Sequence, residues 1–371
     1  MRVVLFSIVI ICAGYGCMPS NNQLPVDRHA TKETKNMYKN LKKIASNKQI
    51  LFGQEDCTAY GIGWKSEKNR SDMKLVSGYH PSVYGWDVGG IEKGDASNLD
   101  QVEFDEMRSL IQEAYHRGGI NTISWHVDNP VNDASSWEKS SIGSVDSILP
   151  GAIYNQKFNV YLDNLAAFLE TLKTDDGEYI PIVFRPWHEH TGNWFWWGSG
   201  RCSPSSYIQL WQYTVNYLVN KKQLHHLLFA YSPDRTSSIE TYFERYPGDQ
   251  YIDILGLDYY HRGGEATANE FVKDARNRLI YIAQEAQRRN KIAAFTETGL
   301  ETITQADWWI NVLFKTIEDT GIAYVMVWRN AFERENHYFG PTPGHPANED
   351  FIQFISSDKI ITEKNIKQFY K

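Results

Sequence analysis

The chain has 371 residues, 42% of them hydrophobic and 22% charged, with a formal net charge of -7. That composition is ordinary for a folded protein and excludes a disordered chain; the acidic balance gives no footing on a phosphate backbone, so nucleic acid is not an expected partner. Aromatic residues make up 14% of the chain, with 12 Trp, and several stand in polar, loop-like contexts where a flat ring suits a ligand with apolar faces, such as a sugar.

The chain starts Met1-Arg2 and continues into an apolar run, Val3 to Ile11, too short to span a bilayer comfortably. Residues 1–17 therefore read as an export segment. Gly16-Cys17 resembles a bacterial lipoprotein processing site, although Gly14 stands where that pattern normally has Leu. A lipid anchor at Cys17 is the reading carried forward, and ordinary cleavage nearby is the alternative. The expected location is outside the cytoplasm, as a periplasmic or outer-membrane lipoprotein with cell-surface display open, and the membrane is touched only through the anchor. A polar, Pro-containing stretch over 18–31 reads as a linker, and 32–371 as one folded domain, with a monomer as the default state. Cys57 and Cys202 are the two remaining cysteines. They form no metal pattern and no disulfide framework, and two buried free thiols are expected over a single bridge.

Along the domain, short β-branched or aromatic runs predict strands at Ile50–Gly53, Ser82–Asp87, Thr122–His126, Ile182–Arg185, Leu227–Tyr231, Ile254–Asp258, Ala293–Glu297 and Tyr324–Trp328. Helical patterns fall between them at Gln101–Arg117, Phe158–Leu172, Tyr207–Asn220, Asn269–Arg289 and Gln305–Thr320. Strand, loop and helix in alternation argue an α/β protein with a parallel sheet. Eight such units, with no Gly-rich nucleotide fingerprint after the first strand, fit a (β/α)8 TIM barrel better than a doubly wound sheet. In a barrel, chemistry belongs at the C-terminal ends of the strands.

The segment Arg185-Pro186-Trp187-His188-Glu189-His190-Thr191-Gly192-Asn193-Trp194-Phe195-Trp196-Trp197-Gly198 begins as the fourth strand ends. A carboxyl walled by aromatic rings resists ionisation, so Glu189 can keep a proton and give it to a leaving oxygen; the competing reading is a plain ion pair with Arg185 or a histidine. Glu297, in Phe295-Thr296-Glu297-Thr298-Gly299, ends the seventh strand directly before a Gly. A charge closing an apolar strand is costly unless paired or used. Carboxylates on strands four and seven meet across a barrel mouth, which suits two-carboxylate glycoside hydrolysis.

Taken together, Trp125-His126, the Arg185–Gly198 segment, Asp258-Tyr259-Tyr260, Thr296-Glu297-Thr298-Gly299 and Trp328-Arg329-Asn330 resemble glycoside hydrolase family 26, the β-mannanases. These motifs run from the third strand to the eighth. The resemblance implies a retaining hydrolase of β-mannan or manno-oligosaccharides, with Glu189 as acid/base and Glu297 as nucleophile. It implies further that His188 steadies the acid and the sugar, that Tyr259 donates its hydroxyl to the nucleophile, and that His126 contacts the sugar. Trp194 and Phe195 would wall the acid, Trp328 would floor the central subsite, and Arg329 would reach a sugar hydroxyl, against the plainer reading of Arg329 as an ion pair with Glu333 or Glu335. Asp128, Asp133 and Trp137 are candidates for the cleft rim.

Endo action is the expectation; release of mannobiose from chain ends, and the β-glucan and β-1,3-xylan activities of the same family, stay open. His188 and His190 lack a third ligand nearby, so no metal and no cofactor is called for. The non-enzymatic alternative is an exported sugar-binding protein, which the presence of both carboxylates opposes.

Overall fold

The computed structural model describes residues 24–238, 240–366 and 369–371. The export segment, Cys12, and Cys17 with its expected anchor lie outside the described residues. Eight parallel strands close into a barrel: β1 (Ile50–Glu55), β2 (Val83–Asp87), β3 (Ile120–Ser124), β4 (Ile182–Arg185), β5 (Leu227–Tyr231), β6 (Ile254–Asp258), β7 (Ile292–Thr298) and β8 (Tyr324–Val327). Each pairs with the next, and β8 pairs back to β1 from Leu51↔Tyr324 to Gln54↔Val327.

The two-residue period of a strand sorts the side chains. Leu51, Val83, Ile120, Val183, Leu228, Ile254 and Ile292 point into the lumen and pack as its lower layers. Their neighbours Phe52, Tyr84, Phe184, Phe229, Leu255, Ala293 and Phe295 belong to the outer core beneath the helices. Counting onward in twos from the lumen residues reaches Glu55, Asp87, Arg185 and Asp258, so the same phase that fills the floor with hydrocarbon ends in charge at the mouth. Glu297 is the exception, since from Ile292 it falls on the odd count and should face outward. A β-bulge corrects it. Leu257 pairs with Phe295 and Asp258 with Glu297, while Val325 pairs with Phe295 and Val327 with Thr298, so β7 carries one more residue than each neighbour and its end is re-aimed inward.

The floor is closed by α1 (Lys32–Ser46), whose Met37, Tyr38 and Leu41 pack against the lower lumen layers. Full burial of such side chains contributes about 1.5–3 kcal/mol each. Thr31 starts the helix, its hydroxyl accepting from Thr34 N at 3.1 Å. The stretch read as a linker is docked over its described part: Val26 N donates to Asp253 Oδ1 at 2.8 Å and His225 Nδ1 meets Asp27 Oδ2 at 2.8 Å.

The helices between strands fall close to the expected places, at Phe104–His116, Asn155–Glu170, Pro204–Asn216 and Ala268–Arg288. The expected Gln305–Thr320 helix is shorter, a π-helical run Trp309–Phe314 continuing into Lys315–Ile317. β3 ends two residues before its expected end, because His126 N donates to the Asp87 carboxylate at 3.2 and 3.3 Å instead of to a neighbouring strand. Cys57 and Cys202 are free and buried, as expected.

Candidate active site

A cavity of about 1180 Å³ opens over the C-terminal ends of the strands, and Glu189, Glu297, His126 and Trp328 all line it. At its base Arg185, 1% exposed, spans two carboxylates, with Nη1 on Asp258 Oδ2 and Nη2 on Glu297 Oε2, each at 2.6 Å. The second oxygen of Glu297 accepts from the Tyr260 hydroxyl at 2.6 Å. Both oxygens are therefore fixed by donors, one of them cationic, and charge-assisted bonds of this kind hold a side chain firmly. Asp258 is itself tied by Thr296 Oγ1 at 2.6 Å and Ser232 Oγ at 3.1 Å. Burial raises the Asp258 carboxyl well above the usual range, against the opposing pull of Arg185.

The partner of the nucleophile candidate is thus Tyr260, and the expectation for Tyr259 is corrected. Tyr259 continues the ladder with its N–H, donating to Glu297 O at 3.0 Å. Its ring turns away from Glu297, packing on Phe271 with the hydroxyl on Asp274 Oδ2 at 3.1 Å. Adjacent residues leaving a strand face different ways, and the period of two that carries Asp258 into the lumen carries Tyr260 with it; Tyr259 also borders the cavity, but its hydroxyl does not reach Glu297.

Glu189 sits in different surroundings. It lies in the loop after β4, half-buried, with φ +51°; Trp187, two residues earlier, has φ +53°. Such left-handed residues cost on the order of 1 kcal/mol or more each and persist where neighbours over-determine them. Here the neighbours are specific: Tyr207 Oη donates to Trp187 O at 2.8 Å, Trp197 Nε1 to His188 O at 2.9 Å, and Glu189 N to Ser232 O at 2.8 Å. Trp194 Nε1 donates to Glu189 Oε2 at 2.7 Å. The Trp194 ring lies so close over Gly192 that a Cβ there would meet it at 2.1 Å, which excludes any other residue without a shift. Burial raises the Glu189 carboxyl well above the ordinary glutamate range, and the nearby Glu297, Asp258 and Asp234 charges add to the rise.

Behind this pair runs Asp87, His126 and His188. His126 Nδ1 meets Asp87 Oδ2 at 2.7 Å, and its Nε2 faces His188 Nε2 at 3.2 Å. Burial opposes the His126 charge, but Asp87 outweighs it and the imidazole is pushed above its usual value. Burial, then Arg185 and His126, push His188 well below. His188 therefore supports His126 from inside the wall and is not among the residues lining the cavity. Trp137, 46% exposed, stacks on the His126 ring at 5.0 Å between centroids. Phe195 packs edge-on to His126 at 5.2 Å, and Trp194, Phe195 and Trp328 all line the cavity.

Arg329 does not present a free donor to the cleft. Its guanidinium is held by Asp100 Oδ1 at 2.9 Å and Glu333 Oε1 at 2.8 Å, and it lies outside the cavity lining. The plainer ion-pair reading with Glu333 holds, because a guanidinium this buried needs carboxylate partners. Of the rim candidates only Trp137 reaches the cavity; Asp128 pairs with Lys93 at 2.5 Å and Asp133 with Lys157 at 2.6 Å. Sequence alone assigns no role to Asp87, Asp258 or Tyr260, and to Arg185 only that of an ion-pair partner for Glu189, although Asp87, Arg185 and Asp258 end strands, the signal that singles out Glu297. Asp234, after β5, also lines the cleft and was not singled out.

Comparison with known proteins places this architecture. The model of glycosyl hydrolase family 26 matches residues 26–336. A mannan endo-1,4-beta-mannosidase of Bifidobacterium adolescentis is 32% identical over 357 residues, 90% of this chain but 35% of that protein, so the chain spans about a third of that relative's length. A mannan endo-1,4-beta-mannosidase of Bacillus subtilis is 29% identical over 69% of this chain and 72% of its own. Among solved structures, a GH26 beta-mannanase from Bacteroides ovatus superposes with a TM-score of 0.89 at 43% identity, covering 92% of this chain and 98% of that one. An endo-beta-1,4-mannanase from Cellulomonas fimi gives 0.85 at 32% identity, covering 94% and 79%. With a family match running from the docked N-terminal segment past the end of β8, this chain belongs to glycosyl hydrolase family 26.

Proposed function

We propose that the chain is an endo-acting β-1,4-mannanase working by double displacement with retention. The observation that carries the reading is that one cleft holds two glutamates in opposite surroundings. Glu297 is ion-paired to Arg185, and Glu189 is held towards its protonated form by burial and by three neighbouring carboxylates. In the first step a Glu297 oxygen bonds to the anomeric carbon as the glycosidic C–O bond breaks, and Glu189 gives its proton to the departing oxygen. In the second, water attacks the same carbon, Glu189 takes the water proton, and the ester bond to Glu297 breaks to restore the carboxylate. Tyr260 and Arg185 hold the nucleophile in line throughout. Trp328 offers its face to the ring that carries the attacked carbon.

The substrate class rests on the relatives: seven are named as mannan endo-1,4-beta-mannosidases, and another, 24% identical over 44% of this chain, as Endoglucanase H. Incubation with unbranched mannan, galactomannan, mixed-linkage glucan and β-1,3-xylan tests it. A spread of manno-oligosaccharide lengths early in the reaction is expected. Mannobiose alone from the first minutes would replace internal cutting with end trimming, and products from glucan or xylan alone would overturn the substrate.

A further inference from the structure

The end of the barrel opposite the cleft carries a charge pattern that hydrolysis does not use. Helix α1 holds five lysines against one glutamate in a protein whose net charge is -7. At 3.6 residues per turn, Lys32, Lys35, Lys39 and Lys43 fall within roughly 80° of the helix surface, centred opposite the buried Met37 and Leu41. Three of the four are exposed and Lys35 is half-buried. Among the described residues none of the four forms an ion pair, whereas Asp249 is engaged by Arg289 and Asp319 by Lys48 and Lys359; Asp175, Asp176 and Glu178, in the loop before β4, stay exposed outside any ion pair. Glu33 lies about 100° from Lys32, and it acts together with Glu178 on the Tyr115 hydroxyl, so both acids lie to one flank of the stripe.

The chain also enters at this end. Pro25, Val26 and Arg28 border a small pocket with Lys291 and Arg289 on the barrel floor. From Cys17, the expected site of lipidation, to Leu24 are seven residues, which fully extended span at most about 25 Å. A barrel tethered through that segment would hold its floor within a few Debye lengths of the lipid surface.

We propose that the lysine stripe of α1 is a docking face for anionic lipid headgroups, seating the barrel on a membrane with its cleft turned outward. The stripe is straight, cationic, unpaired and set on a helix fixed in orientation by its packing into the floor. A polybasic surface next to a lipid anchor adds an electrostatic contact to the hydrophobic one, and so orients a body that the anchor alone would leave free to turn. The inference is independent of the proposed reaction, because α1 contributes no residue to the cleft.

The test is co-sedimentation of the full chain with vesicles of phosphatidylcholine alone and with vesicles containing phosphatidylglycerol, at low and at high salt. Hydrophobic attachment through the N-terminus acts on both vesicle types equally, so the difference between them reads the charge. The parent should favour the anionic vesicles by at least about tenfold at low salt and lose that preference at high salt. The fourfold variant K32Q/K35Q/K39Q/K43Q should lose it at low salt while hydrolysing soluble mannan at the parental rate. The fourfold Lys→Arg variant should keep it. Equal partition of the parent onto both vesicle types overturns the proposal, as does an unchanged preference in the glutamine variant, which would move the contact to other cations. Loss of hydrolysis with retained binding would count against the reaction and leave this face standing.

Discussion

The two glutamates of the cleft are the same residue type a few strands apart, and the protein treats them in opposite ways. Glu297 belongs to a strand, is turned inward by a bulge, and has a donor on each oxygen, one of them Arg185. Glu189 belongs to a loop held in left-handed backbone by hydrogen bonds from outside it, and its one side-chain donor is the neutral indole of Trp194. Among the described residues no cation pairs with Glu189, while carboxylates approach it from Glu297, Asp258 and Asp234. Environment, far more than identity, separates a group built to attack as an anion from one built to carry a proton.

That contrast can be broken most severely at the nucleophile. Glu297→Ala should lower kcat on mannan by about 10^4-fold or more, since the covalent intermediate is lost with the carboxylate that forms it. Glu189→Ala should cost about 10^2- to 10^4-fold on mannan, but far less on an aryl mannoside whose leaving group departs without a proton. If both variants fall equally on the aryl substrate, the two roles are wrongly divided.

Removing the cation erases the difference between the two sites. Arg185→Met leaves Asp258 and Glu297 facing each other in a buried layer, and loss of one member of such a network costs about 3–5 kcal/mol. A large drop in the denaturant midpoint with unchanged slope is expected. A variant as stable as the parent would show that the mouth is wetter than its burial implies.

The two tyrosines sharpen the comparison at a single hydrogen bond. Tyr260→Phe removes a donor to a charged group, worth about 1.5–3 kcal/mol, so kcat/KM should fall roughly ten- to a hundredfold. Tyr259→Phe, whose hydroxyl meets Asp274 on the outer helix, should leave kcat/KM within about twofold. The reverse order of effects would restore Tyr259 as the nucleophile's partner.

The same contrast explains what could be read without coordinates. The barrel was legible because strands buried on both faces read as short apolar runs, as in Leu51-Phe52 or Val183-Phe184, and because Glu297 closes such a run while Glu189 follows another in the loop after it. The inward turn of Glu297 was not, because β7 departs from the two-residue period: a bulge between Phe295 and Thr298 shifts the phase, and no local residue type announces it. Arg329 misled for a related reason. Its place after Trp328 suggested the cleft, but Asp100 and Glu333, one of them over two hundred positions away in sequence, hold it out of the cavity lining. The lysines of α1 were visible in the chain, yet only the helix docked in the floor shows that four of them share one outward face.

The finest test lies on the proton-carrying side. Burial raises the Asp234 carboxyl to about 6, so above that pH it stands in the cleft as an anion near Glu189. An anion there disfavours ionisation of Glu189 and keeps the acid protonated to higher pH. A general acid is active below its own pKa, so kcat/KM falls as pH rises through that value. Asp234→Asn removes the repulsion, lowers the pKa of Glu189, and should move the alkaline limb of the kcat/KM profile to lower pH by up to about one unit. Asp133→Asn, at a carboxylate paired to Lys157 outside the cavity, should leave the limb in place. A limb that stays put in the Asp234 variant would mean that burial alone keeps the proton on Glu189, and the acid would then owe its chemistry to the aromatic wall of Trp194 and Phe195 instead of to its charged neighbours.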